Sequence, residues 1–211
     1  MPRTYGRRIG SSTISNRRRR YRIGGFTPPL RAGFTLIELL VVIAIIAVLA
    51  AIITPNAFKA VEKAKVSRTI SEVRTIKTAA LAYYSDTGTW PILYRLTDPV
   101  NSFLTDPGIA RWDGPYVEKW SPHPWSGHIG WDPTIDLDDS GIADGCVVLD
   151  DDRPGTSAAD NQGRVPLPSM LAIDRALDDG NLASGRVQGN GQGLQAAVGE
   201  VVIMVVRDGQ P

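Results

Sequence analysis

The 211 residues carry 43% hydrophobic and 21% charged side chains and a formal net charge of +1. That near-neutral total hides a division: residues 1–33 hold nine of the 23 basic and none of the 22 acidic side chains, which leaves the remainder at −8 and argues against nucleic acid as its main partner. A single cysteine, Cys146, excludes an intrachain disulfide, and the length beyond residue 33 suffices for one domain.

In chain order, residues 1–33 come first, with Arg3, Arg7, Arg8, Arg17, Arg18, Arg19, Arg20, Arg22 and Arg31. Next to an apolar run this reads as a basic cytoplasmic leader under the positive-inside rule. Arg17–Arg20 alone would support a nucleic-acid arm, but the adjacent apolar segment makes topology the better use of them. Phe34 to Ile53 supplies 20 residues, about 30 Å of helix, enough to span a hydrocarbon core. Glu38 interrupts that run near its start. A carboxylate inside a span costs about 2.5–3.5 kcal/mol on insertion scales, so it calls for a partner and a function. The small residues Ala32-Gly33 lie before the apolar core, whereas a secretory signal peptide places its cleavage site after it.

The stretch Arg31-Ala32-Gly33-Phe34-Thr35-Leu36-Ile37-Glu38-Leu39, continued by Pro55, resembles the class III signal of type IV pilins and type II secretion pseudopilins. The resemblance implies cleavage by prepilin peptidase between Gly33 and Phe34, N-methylation of Phe34, and removal of residues 1–33. It also implies that Glu38 docks the α-amine of a neighbouring subunit during filament assembly. Removing one member of such a buried pair costs roughly 3–5 kcal/mol. The plainer alternative is a signal anchor whose Glu38 snorkels to the interface.

Residues 34–54 are expected to form a transmembrane and filament-core helix, and residues 55–84 its amphipathic continuation. Pro55 should kink or loosen the helix at the junction. Phe58, Val61, Ala64, Val73, Ile76, Ala80 and Tyr83 recur mostly at spacings of three and four and mark one buried stripe. Arg68 and Glu72 form an i,i+4 pair worth only tenths of a kcal/mol. Ser85-Asp86-Thr87-Gly88-Thr89-Trp90-Pro91 is a turn signal that should end the helix near Tyr84.

Residues 85–211 read as an exported, loop-rich β domain. Cys146–Leu149 and Val201–Val206 have strand character, and Pro168–Leu177 reads as a short helix ending at Asp178-Asp179-Gly180-Asn181. The expected fold is α+β and pilin-like: a long N-terminal helix packed on a small antiparallel sheet with long loops. Cys146, in an apolar run, reads as buried filler rather than a catalytic thiol. Trp112-Asp113-Gly114-Pro115-Tyr116 and Pro122-His123-Pro124-Trp125-Ser126-Gly127 resemble the Trp-x-Gly-Pro-Tyr and Asp-Pro-Trp-Gly stretch of major pseudopilins. Here His123 stands in the place of Asp, and Ser126 interrupts Trp-Gly. The aromatic residues also read as core of a loop-rich domain.

Oxygen-bearing side chains alternate at Asp136, Asp138, Ser140 and Asp144 as in a calcium loop, with Asp132 or Asp150 as a further donor, although Val147 replaces the closing Glu of an EF-hand. Major pseudopilins bind calcium in a C-terminal loop, so the resemblance adds weight to calcium, and no organic cofactor is expected. Asp150–Asp152 and Asp174, Asp178 and Asp179 read as solvated turns. No catalytic constellation stands out: His123 and His128 fit no zinc pattern, and Gly189–Gly193 lacks the Lys-Ser/Thr of a phosphate loop.

The sequence therefore predicts a structural, non-enzymatic subunit of a type IV pilus-like filament, major-pseudopilin-like and serving type II secretion. The alternatives are a pilus pilin for adhesion, motility or DNA uptake, and a membrane-anchored periplasmic enzyme or binding domain. The resemblance implies as partners further copies of the chain, prepilin peptidase, and an inner-membrane platform with its ATPase. It implies a single inner-membrane pass with the C-terminal domain outside the cytoplasm, followed by the filament.

Overall fold

The computed structural model describes residues 33–95, 98, 100–154, 160–192 and 197–207. The arginines of the leader, Ala32 and Gly193 lie outside them. Two compact units divide the chain, Met1–Ile46 and Ala47–Pro211.

In the first unit Gly33, Phe34 and Thr35 are non-helical, and helix α1 (Leu36–Thr87) begins. Every described residue of this unit is exposed in the single chain. The apolar window of α1 meets the length and composition of a membrane span, and among the described residues none of it is buried.

In the second unit α1 stays helical through Pro55. Pro55 has no N–H to offer the carbonyl of Ala51, so the expected loosening is one missing rung rather than a break. On either side of the gap, Thr54 Oγ1 donates to Ala50 O at 2.6 Å and Asn56 Nδ2 to Ile52 O at 3.5 Å. The buried stripe of α1 is Thr69, Val73, Ile76, Ala79, Ala80 and Tyr83. Phe58, Val61 and Ala64, expected in that stripe, are exposed, because no buried cluster of the domain reaches so far up the helix. The helix ends beyond Tyr84, at Thr87. Gly88, at φ +75°, supplies the left-handed residue that stops it, and its N–H caps Tyr84 O at 2.8 Å.

The sheet is antiparallel in the order β1 (Ile129–Ile135), β2 (Asp144–Leu149), β4 (Val201–Val206), β3 (Val187–Gly189). β2 pairs Val147 with Trp131 on one side and with Ile203 on the other. Period-2 alternation sorts the side chains of β2 and β4 between two cores. Val147, Leu149, Val201, Ile203 and Val205 join α1, Trp131, Phe103, Met170 and Ile173 in the larger one. Cys146, Val202 and Met204 face the other way and are covered by Leu137. β4 is therefore buried along its whole length, which its uninterrupted Val-Val-Ile-Met-Val-Val run requires.

Helix α2 (Leu167–Leu177) starts at Pro166-Leu167-Pro168, where prolines forfeit no intrahelical bond, and buries Met170 and Ile173. Asp174, expected in a solvated turn, is fully buried on this helix beside Ile173.

Candidate processing and assembly site

The Gly33–Phe34 peptide precedes the first turn of α1. A Cβ placed on Gly33 would meet nothing within 4 Å, and Phe34 is 83% exposed. This backbone is non-helical and exposed. One residue later Thr35 caps the helix. Glu38 N–H donates to Thr35 Oγ1 at 3.2 Å, while Thr35 N–H and Oγ1–H donate to Glu38 Oε2 at 2.8 and 2.7 Å. This is a reciprocal capping box, Thr-x-x-Glu, that satisfies orphan donors at a helix start. The carboxylate therefore points back toward the segment that cleavage would free. Both bonds it accepts fall on Oε2, and Oε1 accepts none among the described residues. The sequence reading missed the part played by Thr35, although the Thr35-x-x-Glu38 spacing carried the signal.

In the domain, four indoles each find an acceptor. Trp112 Nε1 donates to Ser102 O, Trp120 to Ile129 O, Trp131 to Pro91 O, and Trp125 to Glu62 Oε2 at 3.1 Å. Gly114 lets Trp112 and Tyr116 meet edge to face with centroids 5.8 Å apart; a Cβ there would strike both rings. The Tyr116 hydroxyl donates to Asp86 at the end of α1 at 3.0 Å.

His123 is buried as a turn-former: its Nδ1 accepts from Trp125 N–H and its Nε2 bonds Asp150 O at 2.9 Å. Burial pushes its pKa down and keeps it neutral. Gly127 follows, so close to Asp150 O and His123 Nε2 that no side chain fits. His128 is 4% exposed, with no hydrogen-bond partner on either ring nitrogen among the described residues. Burial first, then the neighbouring His123, push its pKa down to about 4. Cys146 is buried in β2, where desolvation pushes its thiol pKa far up, as befits filler.

The acidic loop between β1 and β2 brings Asp136, Asp138 and Asp144 together, with a ligand oxygen from each within 4.8 Å of the others. Its carboxylates already serve the loop. Asp136 accepts from Ser140 and Gly141 N–H at 3.0 and 2.7 Å, and Asp144 from Leu137 N–H at 2.9 Å. Asp138 pairs with Arg207 at 2.7 Å. Ser140 Oγ lies within bonding distance of Ile142 N and O. The donor type suits a hard cation, but three carboxylates supply only part of the six to eight oxygens that calcium takes. Asp132 is not a further donor: it is held by Arg95 at 2.6 Å and by Thr134. Asp150 groups instead with Asp151 and Glu200.

The family described as "Prokaryotic N-terminal methylation motif" matches residues 29–54, and "PilW, C-terminal" matches residues 60–140. Type II secretion system core protein G of Klebsiella michiganensis is 30% identical over 131 residues, covering 57% of this chain and 89% of the relative. Its namesake in Aeromonas hydrophila is 30% identical over 133 residues, 58% of this chain and 90% of the relative. The type IV major pilin protein PilE1 of Neisseria gonorrhoeae is 44% identical over 62 residues, only 29% of this chain and 38% of the relative. No solved structure gives a significant match.

Proposed function

Because the chain belongs to the type IV pilin and type II secretion pseudopilin family, a family of structural filament subunits whose N-terminal motif marks prepilin-peptidase processing, we propose that it is a major-pseudopilin-type subunit of a type II secretion system. One observation carries the choice of subtype. The likeness to core protein G runs over nearly the whole relative, whereas the likeness to the pilin covers 38% of it. The second reading, a type IV pilus subunit, draws on the PilW-type match over residues 60–140.

In this proposal the peptidase cuts the exposed Gly33–Phe34 bond and the new amine at Phe34 is methylated. The residue 1–33 leader lies in the cytoplasm and the sheet domain outside it. An inner-membrane platform and its ATPase draw subunits from the bilayer. Glu38 offers Oε1 to the α-amine of a neighbouring copy while Thr35 holds Oε2, so the cap orients the carboxylate before the partner arrives. Asp136, Asp138 and Asp144 would hold a calcium ion that neutralises their loop.

The test is N-terminal peptide mass spectrometry on membrane-extracted protein from a host with prepilin peptidase. A start at N-methyl-Phe34 is expected; a start at Met1 or cleavage elsewhere moves the chain to the anchored-domain class. In the same host Glu38→Ala should insert in the membrane but build no filaments, and normal filaments from that variant would remove the docking role. Rescue of secretion in a strain lacking its core protein G separates the secretion reading from the pilus reading.

A further inference from the structure

Within the second unit, α1 and the start of α2 enclose a groove of about 740 Å³. Phe58, Val66 and Ile70 form its wall on α1, and Pro166 and Pro168 its wall at α2. Glu62 ties the two walls together, its Oε2 accepting from Ser169 Oγ at 3.1 Å. Phe58 is 69% exposed and both prolines are exposed, so this apolar surface is open rather than core. Contiguous open apolar surface of this kind marks a binding site.

The rim carries the charge that selects an occupant. Lys59, Lys63 and Arg74 line the groove and are exposed, and no acid pairs with any of them among the described residues. Glu62, the acid in the lining, is already neutralised by Lys65 at 2.9 Å. The groove therefore fits an apolar body with an anionic head.

Its place along α1 says where such a body comes from. Residues 47–53 open this unit as exposed, wholly apolar helix of membrane-span composition. Lys59 follows Ile53 by about 9 Å of helix and Lys63 by about 15 Å. Helical side chains lean toward the N-terminal end and lysines snorkel, which brings both ammonium groups back toward the headgroup layer. We propose that the groove binds one anionic phospholipid of the leaflet from which α1 emerges. Its phosphate sits on Lys59 and Lys63, and its acyl carbons lie against Phe58, Val66, Ile70 and the two prolines. A second copy of the chain fits less well. Its apolar segment from Leu36 to Ile53 brings one carboxylate, Glu38, which Thr35 already engages. The bound lipid holds the domain against the bilayer surface, whichever filament the chain builds.

The experiment uses the full chain in neutral detergent, read by native mass spectrometry. Dioctanoyl phosphatidylglycerol, dioctanoyl phosphatidylcholine or glycerol 3-phosphate is added. The parent should carry one phosphatidylglycerol, with far less phosphatidylcholine and no glycerol 3-phosphate. Lys59→Gln combined with Lys63→Gln should weaken the phosphatidylglycerol adduct roughly 30-fold, the worth of two lysines at an anionic surface, with the melting midpoint unchanged. Ser67→Trp, at an exposed position in the lining, should fill the groove and remove the adduct with both lysines intact. It serves if the double variant fails to fold. Equal adducts of the two lipids, a glycerol 3-phosphate adduct as strong as the lipid's, or parental lipid binding in either variant overturns the assignment. So does a dimer of the chain that Ser67→Trp abolishes and phosphatidylglycerol leaves intact, which gives the groove to a second copy. Filaments are not read, so the result stands apart from the choice between secretion and pilus.

Discussion

Trp125 Nε1 donates to Glu62 Oε2 across 3.1 Å, joining the amphipathic half of α1 to the His123–Gly127 turn. The same oxygen accepts from Ser169 Oγ on α2 at 3.1 Å, and Lys65 pairs with Oε1 at 2.9 Å. One carboxylate thus gathers a helix, a turn and a second helix. By contrast, Arg68 and Glu72, the pair legible from spacing, stand 4.0 Å apart.

Glu62→Ala should lower the stability of the domain by about 1–2 kcal/mol. Charge-assisted bonds are lost, but a side chain 41% exposed contributes less than a buried one. Thermal melting of the detergent-extracted chain checks this; an unchanged midpoint would mean that water replaces all three contacts.

Thr35→Ala should cost the start of α1 about 1 kcal/mol, the usual worth of a cap. Glu38 then loses the hydroxyl donor and keeps only the backbone N–H of residue 35, so filament yield should fall while Gly33–Phe34 cleavage continues. Yield equal to the parent's would show that the neighbouring amine aligns Glu38 unaided.

In the Asp136 loop, Arg207 occupies the Asp138 carboxylate that calcium would need. Arg207→Ala should therefore tighten calcium binding, and Asp136→Asn should weaken it, by calorimetry on the full chain. A site indifferent to both changes is not formed by this loop.

His128 makes the domain acid-sensitive. Its folded pKa, about 4, lies below the ordinary 6.5, so the unfolded chain takes up the proton first. The contribution is full above pH 6.5 and is lost as pH falls toward 4, amounting to about 3 kcal/mol at full titration. Buried His123 acts in the same direction. Asp150 and Glu200, whose carboxyl pKa values burial pushes up, act in the opposite one. His128→Phe keeps a ring against Tyr94 and should flatten the decline in melting midpoint over that window. An identical decline in parent and variant assigns the sensitivity elsewhere.

What the sequence disclosed follows from pattern strength. The apolar run of α1 was legible because a segment of membrane-span composition admits almost no polar side chain, and the β-branched runs of β2 and β4 because burial between two cores leaves no polar positions. β1 was not, since Gly130 and Pro133 look like turn residues. They are tolerated because β1 is an edge strand whose register shifts between Asp132 and Ile135. β3, three residues long, is too short to carry a pattern. Asp174 misled because aspartate near a Gly-Asn turn is usually solvated, and only the packing of α2 buries it. At the candidate site, the Gly33-Phe34 junction and Glu38 stand out from local order alone. The orientation of Glu38 toward Thr35 depends on a side-chain geometry that composition does not display.

Among the described residues nothing covers the apolar window of α1. Leaving even ten such side chains in water would cost on the order of 15–30 kcal/mol, more than the whole stability of an ordinary domain. A free subunit in aqueous solution is therefore a negligible species. Traffic between bilayer and polymer has to proceed by handover, lipid contacts being exchanged for protein contacts turn by turn. A filament that releases its subunits must return them to a membrane, which makes the bilayer a reusable reservoir.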